Sequence, residues 1–362
     1  MVATAKGISV SFVLPGAGLS GGNRTTVEMV TRLRARGWKA RLLCRQPGRF
    51  TGGRIRTAAK HALNRLSGVV RDSWLPEGTE YFLKLRDVRF EPGELVVAVG
   101  SWTIEEVAAL DGDVQKLRWC KGFNENYPKE MERLWGLPMA TLAVSPPLIP
   151  RLEKYAGNRV AGVVPNGVNL AEYFVEGRDR DGVGGILGRG WKKAPEDLIS
   201  IMRHLQASLP EGKRYVFSTE RCPRGLPATT YLRYPSVADA RSLYNRAAVW
   251  VVVSRSEGFC NPILEAMACG SVVVSTAHDS APGLIEDETN GFLVPVGDVN
   301  AFVEKIRDLW HDPGTLARVR SAGFRTANSF SWDQAVSRME DALNRVSLHL
   351  VGGKNAPNSR PW

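Results

Sequence analysis

The sequence predicts an α/β protein built from two successive doubly wound domains, and three observations predict it. Strand-like apolar runs alternate with helical patterns almost throughout, the mark of βαβ units and parallel sheets. The alternation pauses at a polar, glycine-rich stretch, Arg178–Gly185, and then restarts. The chain has 362 residues, and at about 150 residues per domain it suits two cores better than one.

The elements follow in order. Ile8–Leu14 reads as the first strand, followed by a loop containing Gly16, Gly18, Gly21 and Gly22, a helix near Thr25–Arg36 and a strand near Lys39–Cys44. In Arg54–Arg71, Ile55, Ala59, Ala62, Leu66 and Val69 recur at helical spacing, with five cations interspersed. Further strands are expected at Leu95–Val99, Lys116–Cys120, Ala140–Val144 and Val160–Val164. The Asn166-Gly167 turn places the domain boundary between Pro165 and Gly184. Beyond it come strand Gly184–Leu187, helix Pro195–Leu209, strands Tyr215–Ser218 and Thr229–Arg233, and a helix near Val237–Arg246. Strand Val249–Val253, helix Pro262–Cys269 and strand Ser271–Ser275 complete the core pattern. A helix near Trp332–Leu348 is expected to pack back across the first domain, and Val351–Trp362, rich in Gly, Asn and Pro, reads as a disordered tail.

Composition narrows the class. At 43% hydrophobic and 23% charged residues, collagen, coiled coil and disorder are excluded. The longest apolar runs, such as Leu95–Val99 and Ala248–Val253, fall far short of the roughly 18 residues of a membrane-spanning helix. Five widely spaced cysteines, with no C-x-x-C, point to a reducing compartment. The apolar stretch after Lys6 is too short for a secretory signal, so a cytoplasmic protein is expected.

Net charge is +11 and unevenly distributed. Residues 1–166 carry 25 Lys/Arg against 15 Asp/Glu, leaving 23 and 22 for the remainder. Before Asp72 there are 14 basic residues and one acid, Glu28. A basic amphipathic helix at Arg54–Arg71 can lie on an anionic membrane surface, track nucleic-acid phosphates, or simply face solvent while packed on its own domain.

Open α/β sheets bind ligands beyond the carboxyl ends of their strands. The most informative such stretch is Ser254–Gly270, directly after a strand. It holds Glu257 and Glu265 eight positions apart, with Gly258-Phe259-Cys260-Asn261-Pro262-Ile263 between them and Glu-Ala-Met-Ala-Cys-Gly closing the helix. Pro262 suits a first helical turn, so N–H groups around Phe259–Ile263 are expected to be unpaired and to attract a diphosphate. A second segment, Gly188-Arg189-Gly190-Trp191-Lys192-Lys193, follows the first strand of the second half.

Together these residues resemble the signature of retaining family-4 glycosyltransferases of the GT-B fold, over roughly Lys154 to Ser347. The resemblance implies two Rossmann-like domains facing across a cleft: residues 1–170 binding the acceptor and 171–330 the nucleotide sugar, with 331–350 the returning helix and 351–362 the tail. It implies that Glu257 contacts sugar hydroxyls and Glu265 a ribose. Arg189 and Lys193, with Lys192 as the alternative because the spacing is shorter than usual, would neutralise the donor diphosphate in place of a metal. Charge on the leaving diphosphate grows as the glycosidic bond breaks, so such cations favour the transition state. No cofactor beyond the nucleotide-sugar substrate is expected. The loop at Gly21 and Gly22 would face donor and acceptor.

Many relatives carry a histidine after a middle strand of the first domain, and the five histidines here supply none at that place. The corresponding stretch, Trp119–Tyr127, looks more like enzymes of surface-polysaccharide assembly, and Glu125 becomes the candidate to orient or deprotonate the acceptor. A 6-deoxy sugar donor is consistent with that loss. Asp111-Gly112-Asp113 resembles the metal-binding pair of another glycosyltransferase fold, but a turn is the plainer reading. The expected acceptor is a lipid-linked or cell-surface glycan precursor at the inner membrane face. The alternatives are a modified base in DNA, with Trp74 and Trp102 stacking on it, and an inactive nucleotide-sugar-binding protein.

Overall fold

The structure is a computed structural model that describes residues 7–18, 20–46, 74–122, 128–156 and 160–351. The chain divides into two compact units. The first comprises residues 1–144, 149–164 and 336–362, and the second residues 145–148 and 165–335.

The first unit is built from β1 (Ser9–Leu14), α1 (Gly21–Ala35), β2 (Lys39–Arg45), β3 (Thr79–Phe82), β4 (Glu94–Val99), α2 (Ser101–Ala108), β5 (Val114–Cys120), α3 (Pro128–Trp135), β6 (Ala140–Ala143), α4 (Ile149–Ala156) and β7 (Val160–Val163). Its seven strands are all parallel, in the order β3-β2-β1-β4-β5-β6-β7. Strands β1 and β4 are buried along their whole length, as expected where helices cover both faces of a parallel sheet.

Two buried charges here are fully engaged. Glu94 has no exposed surface and accepts from Ser11 Oγ, from Arg41 Nη1 at 3.1 Å and from the Glu91 N–H at 2.8 Å. Arg118, equally buried, donates to Thr141 Oγ1 at 2.8 Å and to the Leu134 and Trp135 carbonyls at 2.7 and 2.6 Å. It thereby ties β5 to β6 and satisfies carbonyls that end α3.

The second unit holds β8 (Gly182–Leu187), α5 (Pro195–Ser208), β9 (Lys213–Ser218), β10 (Thr230–Arg233), α6 (Val237–Arg246), β11 (Ala247–Val252), α7 (Asn261–Ala268), β12 (Val272–Thr276), β13 (Phe292–Val294), α8 (Val299–Trp310) and α9 (Pro313–Ser329). Helix α10 (Trp332–Val351) begins in this unit, but its residues from Val336 onward belong to the first. There Glu340 accepts from Arg36 at 2.8 Å and from Trp38 Nε1 at 2.8 Å.

The second sheet is also wholly parallel, ordered β10-β9-β8-β11-β12-β13. Its strand order reverses between β8 and β11, which opens a crevice at their carboxyl ends. Glycine makes the tight packing at β8 feasible. A Cβ at Gly184 would stand 2.1 Å from the Trp250 ring, and one at Gly185 would stand 2.7 Å from Leu198. Trp250 is fully buried by this arrangement.

Two Rossmann-like halves are thus present, and the strands expected from the sequence form within a few residues of their places. Sequence reading passes over β3, whose Glu80 and Tyr81 are exposed at the sheet edge, and over α2, α3 and α4. Those helices have eight residues each, too few for a helical period to repeat convincingly. It passes over the longer α8 and α9 as well, although in α8 Phe302, Ile306 and Leu309 show the period plainly. The Arg54–Arg71 helix, Glu125 and the tail beyond Val351 lie outside the described residues. No helix among the described residues is long and apolar enough to cross a membrane.

Candidate active site

Two loops of the second unit bring the charged candidates together. The first leaves β8 at Gly188 and enters a 3-10 turn, Trp191–Lys193, before Pro195 opens α5. The second leaves β11 and reaches α7, with Pro262 in its first turn. Arg255 fastens one to the other. Its N–H donates to the Lys192 carbonyl at 2.8 Å, and its guanidinium reaches Asp197 at 3.0 Å and Glu196 at 3.1 Å.

Across this junction Lys193 Nζ donates to Glu257 Oε1, which also accepts from Ser254 Oγ at 2.8 Å. Partial desolvation of its stem side works against the half-exposed Lys193 ammonium, but the Glu257 carboxylate outweighs it and holds the lysine pKa above its ordinary value. Gly188 lies beneath the Lys193 stem, since a Cβ there would stand 2.4 Å from Lys193 Cβ. Arg189 is exposed and makes no ion pair among the described residues, whereas Lys192 is half-buried.

The turn into α7 presents backbone donors. The N–H groups of Phe259, Cys260 and Asn261 make no hydrogen bond among the described residues. The expected run is shorter by one, because the Ile263 N–H donates to the Cys260 carbonyl at 3.1 Å and the Ile263 side chain lies in the core. Ser145 Oγ donates to the Gly258 carbonyl at 2.8 Å, and Asn166 Nδ2 to Asn261 Oδ1 at 2.9 Å, fixing the turn from behind. Cys260 is buried, and burial pushes its thiol far above the usual range, so it is an inert core group. Four residues into α7, Glu265 accepts from the buried Tyr244 hydroxyl at 2.9 Å.

Four contributors have no role assigned to them by the sequence. Tyr244, Ser254 and Asp279, which accepts from Ser256 Oγ at 2.6 Å, join the site from three different elements. The fourth is His278, just beyond β12 and 2% exposed. The Leu243-Tyr244-Asn245 run before β11 also resembles the family pattern, but nothing in its local sequence shows the bond to Glu265.

Gly21 and Gly22 fall in the first unit, at the start of α1. Ser20 Oγ accepts from the Asn23 N–H at 3.2 Å, and Asn23 Nδ2 donates to the Gly16 and Gly18 carbonyls at 2.9 and 2.7 Å. Space for a Cβ is open at Gly21, and at Gly22 the nearest atom is Lys121 Cβ at 3.9 Å.

Residues 185–312 match the family model described as glycosyl transferases group 1. Over those residues the chain is similar to group 1 glycosyltransferases. The match takes in Gly188–Lys193, Tyr244, Glu257, Glu265 and His278, and covers about a third of the chain. Among similar proteins, D-inositol 3-phosphate glycosyltransferase 1 of Catenulispora acidiphila is 34% identical over 124 residues, which are 34% of this chain and 28% of that relative. The match thus spans little more than a quarter of the relative's length.

Solved structures resemble the chain over nearly all of its length. Sucrose-phosphate synthase from Thermosynechococcus elongatus superposes with a TM-score of 0.72 at 17% identity, covering 96% of this chain and 100% of that one. Anabaena HepE in complex with UDP and glucose superposes with a TM-score of 0.72 at 16% identity, covering 93% and 99%. At these identities the likeness shows the fold, which is that of GT-B glycosyltransferases.

Proposed function

We propose that the protein moves a sugar from a nucleotide-sugar donor to an acceptor hydroxyl with retention of configuration. The observation that carries this reading is the gathering of Lys193, Glu257, Glu265 and the open turn of α7 at the carboxyl ends of β8 and β11, where the strand order reverses. In this reading the N–H groups of Phe259, Cys260 and Asn261 hold the diphosphate, aided by the positive end of α7. Glu265 holds the ribose and Glu257 the sugar hydroxyls. Arg189 and Lys193 neutralise the diphosphate as the bond from the anomeric carbon to its oxygen breaks, in the place a metal would otherwise fill. The acceptor oxygen then bonds to the anomeric carbon on the same face, and its proton passes to the departing phosphate oxygen. HepE, of the same fold, binds UDP and glucose, which supports a sugar nucleotide as donor here.

For the acceptor we propose a lipid-linked or cell-surface glycan precursor at the inner face of a membrane. The +10 charge of residues 1–166 supports this, since a basic unit is drawn to anionic lipid or acceptor phosphates. Thermal-shift titration with UDP-, GDP-, ADP- and dTDP-sugars tests the donor half. A selective rise in the melting midpoint that vanishes in Glu265→Ala is expected; no rise with any of them sinks the reading. Binding to vesicles that requires anionic lipid is the expected result for the acceptor half, and salt-sensitive binding to duplex DNA instead would replace it.

A further inference from the structure

The His278 ring is buried, yet its Nε2 makes no hydrogen bond among the described residues. The other nitrogen, Nδ1, is 3.4 Å from the Ser280 N–H, which can only donate to it, and 3.5 Å from Ser280 Oγ, which can donate or accept. The tautomer that suits both contacts has Nδ1 as the acceptor and the proton of the neutral ring on Nε2. The result is a buried donor with no acceptor among the described residues, an arrangement that ordinarily costs stability.

The surroundings name the missing acceptor. The loop bearing His278 is laced to the loop bearing Glu257 on both sides: Thr276 Oγ1 donates to the Ser254 carbonyl, and Ser256 Oγ donates to Asp279. Of the charged groups that act on the ring, Glu257, Asp279 and Lys193, Glu257 acts most strongly. Asp279 is already taken by Ser256. Glu257, for its part, spends Oε1 on Lys193 and Ser254. An anionic ligand that draws Lys193 away would leave the Glu257 carboxylate short of a partner.

Resting on the donor site proposed above, we infer that His278 is a positioning residue for Glu257: its Nε2–H takes hold of the carboxylate when Lys193 turns to the donor diphosphate. Glu257 then stays aimed at the sugar throughout the exchange of partners. A neutral donor suits this role, because a charged imidazolium beside Lys193 would compete for the same phosphates. Desolvation, which holds the ring pKa below its ordinary value despite the neighbouring carboxylates, keeps it neutral.

Two measurements on the full chain test the inference. Imidazole nitrogen NMR of the ligand-free protein, assigned by the signals lost in His278→Gln, reads the tautomer directly. The Nε2–H form is expected, and the Nδ1–H form overturns the proposal. Calorimetric titration then compares UDP with UDP-glucose, or the nucleotide the thermal-shift panel selects. His278→Phe, which keeps the ring and removes the donor, is expected to leave the free diphosphate affinity within twofold and to weaken the sugar-linked donor about tenfold. His278→Gln, which restores an N–H near the Nε2 position, should recover most of that loss. In Glu257→Gln the further change His278→Phe should cost nothing more, because the two residues act as one. Additive losses, or an equal loss with the free diphosphate, overturn the proposal. Failure of the unmodified protein to bind any nucleotide or sugar nucleotide strikes the donor site itself, a separate result that the tautomer measurement does not share.

Discussion

Replacing Gly188 by alanine adds one methyl group and touches no charge, yet it should disable the cation–carboxylate pair. The new Cβ would stand 2.4 Å from Lys193 Cβ, 2.7 Å from its Cγ and 3.2 Å from its Cδ. Carbon atoms rest about 3.5–4.0 Å apart, so the lysine stem must retreat by roughly 1 Å. Rotating the side chain moves Cγ and Cδ but not Cβ, which is fixed by the backbone, so the 3-10 turn Trp191–Lys193 itself must shift. Gly188 does not occupy the left-handed backbone region, so the effect is steric and owes nothing to glycine's conformational freedom. Overpacking of this kind costs about 1–3 kcal/mol, and each kcal/mol lowers the midpoint of a domain of this size by about 2–4 °C. Lys193 is substantially exposed and its pair with Glu257 adds little to folding stability, so the larger consequence should be in donor binding. Calorimetry should show the donor dissociation constant of Gly188→Ala rising about tenfold, for a loss near 1.4 kcal/mol, and matching that of Lys193→Met. A variant that melts and binds like the parent would refute both the packing argument and the place of Lys193 in the site.

Three further outcomes are expected. Tyr244→Phe removes the 2.9 Å bond to Glu265 from within a buried ring, and should weaken nucleotide binding about fivefold, checked by calorimetry, with little change in melting. Arg118→Met leaves the Leu134 and Trp135 carbonyls without their buried donor; at about 1–3 kcal/mol for each orphaned group, the first unit should lose roughly 3 kcal/mol in denaturant titration. Because the folded pKa of His278 lies below its ordinary value of 6.5, the unfolded chain takes up its proton first as the pH drops. The His278 contribution should therefore be intact above that value and fade as the pH falls toward the folded pKa; His278→Gln should flatten that part of the stability profile.

What the sequence discloses and what it hides follow from the geometry of a doubly wound sheet. Glu257, the open turn and Glu265 are read together because one loop and one helix carry them, so their spacing in the chain is their spacing in space. Ser254, a neighbour in the same stretch, went unremarked only because serine in a loop has many uses. Tyr244 and His278 are different. Each lies 21 residues from the glutamate it serves, on an element that the strand crossovers bring alongside, and nothing in the local pattern announces that approach. A tyrosine inside the helical period of Val237–Arg246 reads as core, and it is core; its hydroxyl gains a role only because α6 and α7 meet. The family pattern puts a histidine in the first half, while this chain buries one beside β12 in the second. Residues whose chemistry depends on non-local packing need the fold before they can be recognised, and the inferred Glu257–His278 coupling puts that point to the test. If the double substitution proves no worse than Glu257→Gln alone, a residue invisible to motif reading will have been assigned its work by a hydrogen bond that its ring does not make among the described residues.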